Sequence, residues 1–253
     1  MNKPLSKYLV YTSAGDHSNL YNWLAVSGAP KVRKSFDLWV TYYGDQENKY
    51  KKIADFYNMR KGGKLPNLYY LYQQHKDILD NYDAIFVLDD DILIDCNQIN
   101  RLFEIREQFD LWLLQPAFHP AGKISHPITK VAPSSFLRYT NFVEVACPLF
   151  RKDKLDKFME VYDPVLVGWG ADLWFSHLLG EKPGKIAIVD AISCINPHDS
   201  TKEGGREIDQ LEEKNIRIKN WVEIKKLHNI QFNGEEGKFP MKVFGYVKQP
   251  QLK

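Results

Sequence analysis

A short apolar segment that ends in three consecutive aspartates constrains this chain more than any other feature. Residues 84–88 are rich in β-branched and aromatic side chains and follow turn-forming residues at 81–83, so they predict a buried strand. Asp89, Asp90 and Asp91 come next, and neighbouring carboxylates repel each other unless a cation or hydrogen-bond donors compensate them. If the extended conformation continues, Asp89 and Asp91 point to one side of the chain and Asp90 to the other.

Two carboxylates on one side suit Mg²⁺ or Mn²⁺. These ions prefer oxygen ligands, keep several waters and complete their coordination with substrate phosphates. An acidic turn after a strand explains the triplet equally well when it is considered by itself. Both interpretations stay open until the rest of the chain is considered.

Strand and helix patterns alternate along the first part of the chain. The predicted elements are strands at 7–12 and 36–43, a helix from residue 20, and a second helix over 46–58. Such alternation predicts a mainly parallel sheet covered by helices. Ligands of these sheets bind beyond the carboxyl ends of the strands. We therefore expect the loops at 13–19, 44–46 and 89–95 to share one rim.

A basic loop with two glycines, residues 60–66, precedes a helix that Pro66 can start. Its lysine, Lys64, and the amino end of the following helix suit a phosphate group, although the spacing is not that of a Walker motif. An ordinary turn is the alternative explanation.

The later part of the chain carries two further polar signals. Residues 141–150 predict a strand that places Glu144 inside an apolar run, where a carboxylate faces a polar cleft or is paired, because unpaired burial is costly. In residues 168–172, two glycines allow close approach of a ligand and Trp169 offers a flat face to a sugar ring. Asp172 begins a predicted helix there, so it is alternatively an ordinary first-turn acid stabilised by the helix dipole.

Composition excludes several classes of protein. The 253 residues carry 34 Lys and Arg against 32 Asp and Glu, so no overall field attracts nucleic acid. No stretch approaches the roughly 20 apolar residues of a membrane-spanning helix, and the first residues lack a signal-peptide pattern. Three widely spaced cysteines predict reduced thiols rather than disulfides. We expect a cytoplasmic protein.

The order of these features resembles the GT-A class of nucleotide-sugar glycosyltransferases, over most of residues 7–200. The features that carry the resemblance are a first strand with a polar loop, a second strand ending in Asp45, the Asp89-x-Asp91 pair, Gly168-Trp169-Gly170-Ala171-Asp172, and the later His198. More closely, three segments are similar to a GT-A-like domain family of plants and bacteria that has no settled activity. They are Gln115-Pro116-Ala117, Phe142-Val143-Glu144 and residues 168–172.

The resemblance implies an α/β protein with a GT-A-like, Rossmann-like mixed sheet, mainly parallel and flanked by helices. Residues 1–205 would form the nucleotide-sugar-binding catalytic domain, and residues 206–253 a helical or irregular extension packed on it. The charged segment from Arg206 has basic residues that are usually the solvated face of a helix. Contact of that face with a membrane surface is the alternative.

The resemblance also implies roles for individual residues. Asp89, Asp91 and His198 would hold Mn²⁺ or Mg²⁺, and Asp172 would be the base that deprotonates the acceptor hydroxyl. The nucleotide donor would be bound by Ser13, Asp45, Lys64, Asp89, Asp90 and Asp91, and the acceptor or sugar by Glu144, Trp169 and Gly170. Many relatives carry Glu-Asp where this chain has Ala171-Asp172, so one acidic contact to the acceptor would be missing.

The function implied is metal-dependent transfer of a sugar from a UDP- or GDP-sugar to a hydroxyl of a carbohydrate or glycoconjugate, by inverting displacement. Two alternatives remain. The first is a nucleotidyltransferase-like enzyme with the same metal carboxylates, although the loop after the first strand has one glycine, Gly15. The second is a non-catalytic carbohydrate-binding or nucleotide-binding module on the same fold.

Overall fold

A nine-stranded mixed sheet organises the protein. The structure is a computed structural model that describes residues 6–24, 33–180, 182–199 and 207–249. Its strands run in the order β3-β2-β1-β4-β7-β5-β8-β6-β9. They are β1 (Tyr8–Ala14), β2 (Asp37–Tyr42), β3 (Phe56–Met59), β4 (Ala84–Val87), β5 (Leu113–Phe118), β6 (Ser135–Thr140), β7 (Leu149–Arg151), β8 (Ile186–Cys194) and β9 (Val243–Lys248).

The sheet has a parallel half and a mixed half. Strands β3, β2, β1 and β4 pair in parallel, and β5 pairs in parallel with β8. Strand β7 lies antiparallel between β4 and β5, and β6 lies antiparallel between β8 and β9. This mixed α/β sheet confirms the architecture predicted from the sequence.

Helices cover both faces of the sheet. They are α1 (Leu20–Leu24), α2 (Lys64–Gln74), α3 (Lys76–Leu79), α4 (Cys96–Gln108), α5 (Lys152–Met159), α6 (Ala171–Leu179), α7 (Glu207–Leu211) and α8 (Lys214–Leu227). Alternate residues of β4 belong to two separate apolar clusters: Phe86 packs with α4, and Ile85 packs with α2, α5 and α6. Burial on both faces explains why β4 reads as an unbroken apolar run. None of the helices in the described residues is both long and apolar enough to cross a bilayer.

The helix predicted over residues 46–58 is wrong. Asn48 and Tyr50 have φ angles of 55° and 67°, which an α-helix excludes. The chain instead turns and returns as β3, since Asp55 Oδ2 accepts a hydrogen bond of 2.8 Å from the N–H of Leu38. The charged composition of this segment does not reveal that long-range bond.

The strand predicted over residues 141–150 is also wrong for most of its length, because only Leu149–Arg151 is a strand. Side chains from elsewhere take up the backbone donors before it. Ser176 Oγ accepts from the N–H of Val143 at 3.3 Å, and Gln115 Oε1 accepts from the N–H of Glu144 at 2.7 Å. Residues 141–148 are therefore held as an ordered irregular segment.

The C-terminal segment contributes to both the sheet and the core. Strand β9, which periodicity does not predict, pairs with β6 through Leu137 and Val247. Trp221 of α8 is buried in the same apolar cluster as α6. The domain boundary expected at residues 205 and 206 lies outside the described residues and stays a prediction.

Candidate active site

A cavity of about 540 Å³ opens beyond the carboxyl ends of β1 and β4. Eight of the residues singled out in the sequence line it: Ser13, Lys64, Asp89, Asp90, Asp91, Glu144, Trp169 and Asp172. The loops expected on one rim do meet there. Asn19 donates a backbone hydrogen bond of 2.7 Å to the carbonyl of Asp90, and the N–H of Asp45 donates one of 3.2 Å to Asp16.

The aspartate triplet forms a turn rather than an extension of β4. The strand ends at Val87, and the N–H of Ile92 bonds back to the carbonyl of Asp89 at 3.2 Å. The alternation of side chains along an extended strand therefore does not determine which of these carboxylates point to the same side. Asp90 turns towards the loop after β1, where its Oδ2 accepts a hydrogen bond of 2.9 Å from the N–H of Gly15.

The triplet places three carboxyl groups together in a partly buried part of the protein. Burial and then the charge of Asp91 raise the pKa of Asp90 to about 8, against the hydrogen bond from Gly15. The carboxylate of Asp89 contributes to the same rise. Oxygen ligands gathered in this way are the kind that Mg²⁺ and Mn²⁺ prefer.

Lys64, the first residue of α2, already binds protein oxygens. Its Nζ lies 2.6 Å from Asp89 Oδ1, and its side chain is 9% exposed. It also donates to three backbone carbonyls, those of Val87 at 3.2 Å, Val145 at 2.8 Å and Ala146 at 3.1 Å. An ammonium has three protons, so these contacts use its capacity within the protein. Contact with a diphosphate stays a prediction.

Glu144 enters the cavity from the irregular segment before β7 and is 6% exposed. Burial raises the pKa of Glu144 to about 7, and the charges of Asp172 and Asp89 add to that rise. A hydrogen bond with Ser125 and the charge of Lys123 oppose it. The polar-cleft explanation for this carboxylate is therefore the one that the geometry supports.

Asp172 lies in the first turn of α6 and is 8% exposed. Burial raises the pKa of Asp172 to about 6, while hydrogen bonds from the backbone N–H groups of Leu173 and Val145 oppose the rise. The bond from Leu173 is 2.9 Å long. The second bond links the start of α6 to the segment that carries Glu144, so the two carboxyl groups belong to one wall.

In the Gly-Trp-Gly motif, the tryptophan lines the cavity and the second glycine forms a turn before α6. Trp169 lines the cavity and is 47% exposed. Gly170 has a φ of 91°, and a Cβ there would come within 2.6 Å of the Trp221 ring. It lies outside the cavity lining, and this close packing explains why a glycine is needed. Its contact with a sugar stays a prediction.

Two other predicted residues also lie outside the cavity lining. Asp45 is on the exposed rim and pairs with Lys61 at 2.6 Å. His198 is exposed, next to Asp199, which does line the cavity. Across the described residues, no group of three or more His, Cys, Asp and Glu side chains is arranged to hold a metal ion. The metal set of Asp89, Asp91 and His198 stays a prediction.

Sequence reasoning missed a second set of lining residues. They come from the loops after β5 and β8 and from α8: Lys123, Ser125, His126, Asn196, Asp199, Lys214 and Arg217. Lys123 Nζ bonds Asp199 at 2.6 Å, and its N–H bonds the carbonyl of Asn196 at 2.7 Å. Because β5 and β8 are parallel neighbours, their following loops meet. The pairing of those strands was the missing signal.

No protein-family model and no curated protein sequence matches this chain. Solved structures do match. Staphylococcus aureus TarS residues 1–349 in complex with UDP-GlcNAc aligns with a TM-score of 0.56 and 12% identity, over 87% of this chain and 64% of that one. GalNAc-T7 with UDP, GalNAc and Mn²⁺ aligns with a TM-score of 0.58 and 12% identity, over 88% of this chain and 48% of that one.

The chain has the GT-A fold. This similarity to glycosyltransferase structures confirms the predicted fold class and the resemblance to the GT-A class at the level of architecture. The chain spans less than two thirds of either neighbour, and the identity is low. The similarity to the domain family of plants and bacteria stays a prediction.

Proposed function

We propose that this protein is a glycosyltransferase that takes a sugar from a nucleotide diphosphate sugar and transfers it to an acceptor hydroxyl. The observation that carries the proposal is a GT-A cavity that gathers Asp89, Asp90 and Asp91 with the buried carboxyl groups of Glu144 and Asp172. TarS was solved with UDP-GlcNAc, and GalNAc-T7 with UDP and Mn²⁺. A UDP-sugar is therefore the first donor to test, with a GDP-sugar second.

The donor set at the triplet fits a divalent cation. Asp89 and Asp91 offer carboxylate oxygens at the cavity, where Lys64 forms an ion pair with Asp89. Asp89 and Asp91, with His198, would hold Mn²⁺ or Mg²⁺, while waters and the diphosphate supply the remaining ligands. When bound, the cation would stabilise the negative charge that develops on the departing diphosphate.

Asp172 is the proposed base. A pKa of about 6 leaves it ionised at neutral pH, so it can accept a proton. The acceptor oxygen attacks the anomeric carbon and its proton passes to Asp172, while the sugar–phosphate bond breaks and the diphosphate keeps the electron pair. General base catalysis of this kind contributes about 10²–10⁴-fold. The proposed displacement inverts the configuration of the anomeric carbon.

The remaining residues are proposed to contact the two parts of the donor or the acceptor. Ser13, Asp45 and Asp90 are proposed to contact the base and ribose, and Lys64 the diphosphate end. Glu144, Trp169 and Gly170 are proposed to contact the sugar or the acceptor. Trp169 offers its exposed ring to the apolar face of a sugar. The acceptor is a carbohydrate or glycoconjugate.

Calorimetry with UDP and GDP, with and without Mn²⁺, tests the class. A transferase is expected to bind one of these nucleotides more tightly when Mn²⁺ is present and to hydrolyse the matching nucleotide sugar slowly. A nucleotidyltransferase would instead convert a nucleoside triphosphate and a sugar phosphate to products. A non-catalytic module would bind carbohydrate or nucleotide without turnover. We also propose that the protein is cytoplasmic, as predicted from the sequence, and cell fractionation tests this location.

A further inference from the structure

Glu144 is a cavity-lining residue with one carboxyl oxygen that is unpartnered in the part of the chain that the structure describes. Glu144 lines the cavity, and its Oε2 is buried without a hydrogen bond from any described residue. Its carboxyl group is engaged by Ser125, so the group is already oriented. A buried acceptor left unsatisfied costs free energy, and a ligand that donates to Oε2 would recover that cost.

The backbone around Glu144 is clamped, so its side chain is directed by the fold. Gln115, which is fully buried, accepts from the N–H of Glu144 at 2.7 Å. Ser176, also fully buried, accepts from the N–H of Val143. On the far side, Lys64 donates to the carbonyl of Val145 at 2.8 Å. These bonds come from three separate elements, and such preorganisation is typical of a binding group.

Glu144 shares the cavity with two other carboxyl groups that act on it, those of Asp172 and Asp89. The negative charges of Asp172 and Asp89 both raise the pKa of its carboxyl group. In the proposed transferase, the transferred sugar lies between the diphosphate end near Asp89 and the base Asp172. A hydroxyl-bearing ring in that place can donate to Oε2, whereas an anionic group would meet three carboxyl groups.

We propose that Glu144 selects the donor sugar, binding a hydroxyl of a neutral hexose through Oε2 and repelling donors whose sugar carries a carboxylate. This inference rests on the proposed function, since it assumes that a nucleotide sugar occupies the cavity. The selectivity for the donor sugar then has two sources, the hydrogen bond to its hydroxyl and the electrostatic repulsion of a sugar carboxylate. In the proposed function other residues bind the nucleotide, so we expect UDP affinity to be independent of Glu144.

The test compares two ligands that differ only at C6 of the sugar. Calorimetry in Mn²⁺ measures the affinities of UDP, UDP-glucose and UDP-glucuronate for the wild type and for Glu144→Gln. In the wild type, UDP-glucose is expected to bind at least 10-fold more tightly than UDP-glucuronate. Glu144→Gln is expected to reduce that ratio to about 3-fold or less and to leave UDP affinity within 2-fold. If GDP is the nucleotide, GDP-mannose and GDP-mannuronate replace the pair.

Three other results would contradict the inference. Binding of neither UDP nor GDP by the wild type overturns the proposed function and this inference with it. An unchanged sugar ratio in Glu144→Gln overturns the inference alone. Loss of UDP affinity together with a lower melting temperature shows a structural role for Glu144 and also overturns it. Glu104→Gln, the same substitution on the exposed face of α4 beside Arg101, is the control and is expected to match the wild type.

Discussion

The ammonium of Lys64 lies 2.6 Å from Asp89 Oδ1 and joins the start of α2 to the end of β4. The same group donates to the backbone carbonyls of Val87, the last residue of β4, and of Val145. A buried lysine therefore holds the aspartate triplet in place and connects it to the segment that carries Glu144.

Replacing this lysine should lower stability. Lys64→Met leaves Asp89 without its ion pair and several buried carbonyls without donors, so we expect a loss of about 2–3 kcal/mol in the free energy of unfolding. Urea unfolding measures it. Lys61→Met is the matched control, because the side chains of its pair with Asp45 are 68% and 87% exposed and such a pair contributes at most about 1 kcal/mol. Equal effects of the two substitutions would contradict the structural role of Lys64.

Asp91→Asn tests the cation site. The substitution preserves size but removes a charged oxygen ligand, so we expect Mn²⁺ to lose its effect on UDP affinity, with at least a 10-fold weaker affinity in Mn²⁺. Calorimetry with and without EDTA measures the difference. Asp77→Asn, on the exposed surface of α3, should behave as the wild type. A full Mn²⁺ effect in Asp91→Asn would remove Asp91 from the metal site.

Asp172→Asn tests the base. Because proton transfer in the reaction contributes about 10²–10⁴-fold, we expect a loss in kcat of that size with UDP affinity unchanged. In the wild type the rate should rise with pH and be half-maximal near pH 6, since the pKa of Asp172 is raised to about 6 and the base must be ionised. Hydrolysis of UDP-GlcNAc measured from pH 5 to 8 provides the profile. A wild-type rate that is flat across this range would contradict the assignment.

Glu144 should make stability depend on pH. Its folded pKa is raised from 4.5 to about 7, so the folded state binds the proton more tightly. The stability that this provides is complete below pH 4.5 and is lost as the pH rises through 7. The comparison is made in EDTA without nucleotide. As the pH rises from 4.5 to 8, the free energy of unfolding of Glu144→Gln should increase by about 3 kcal/mol relative to that of the wild type.

Urea unfolding at several pH values checks this expectation. The groups that face Glu144 are Asp172, Asp89, Lys123 and Ser125, and they are the same in both proteins, so the comparison isolates Glu144. Parallel curves for the two proteins would show that the carboxyl group titrates normally.

Gly170→Ala tests the packing that places Asp172. A side chain at this position must adopt a φ of 91° and approach the Trp221 ring to 2.6 Å. Gly184→Ala has a comparable φ of 78° with no described atom within 4 Å of the new Cβ. The difference between the two variants isolates the clash, and we expect Gly170→Ala to be less stable by about 1–3 kcal/mol. Equal melting temperatures would argue against the packing of α8 on this turn.

Local patterns in the sequence identified elements that are buried along their whole length, such as β4. The apolar run before Asp89 predicted β4, and the acidic triplet after it predicted a polar rim, because a buried parallel strand leaves polar groups only at its ends. Glu144 was recognisable inside an apolar run, Lys64 in a glycine-bearing loop before a helix, and Asp172 in the motif of residues 168–172.

Tertiary structure decided how those residues are used. The return of β3 depends on the hydrogen bond that the N–H of Leu38 donates to Asp55, and the irregular course of residues 141–148 depends on Gln115 and Ser176. These partners are 17 to 33 residues away, beyond any local periodicity. The sequence by itself determined which charges the chain must accommodate. The pairing of distant strands and loops decided which of them share the cavity, because contacts between distant segments form only in the folded chain.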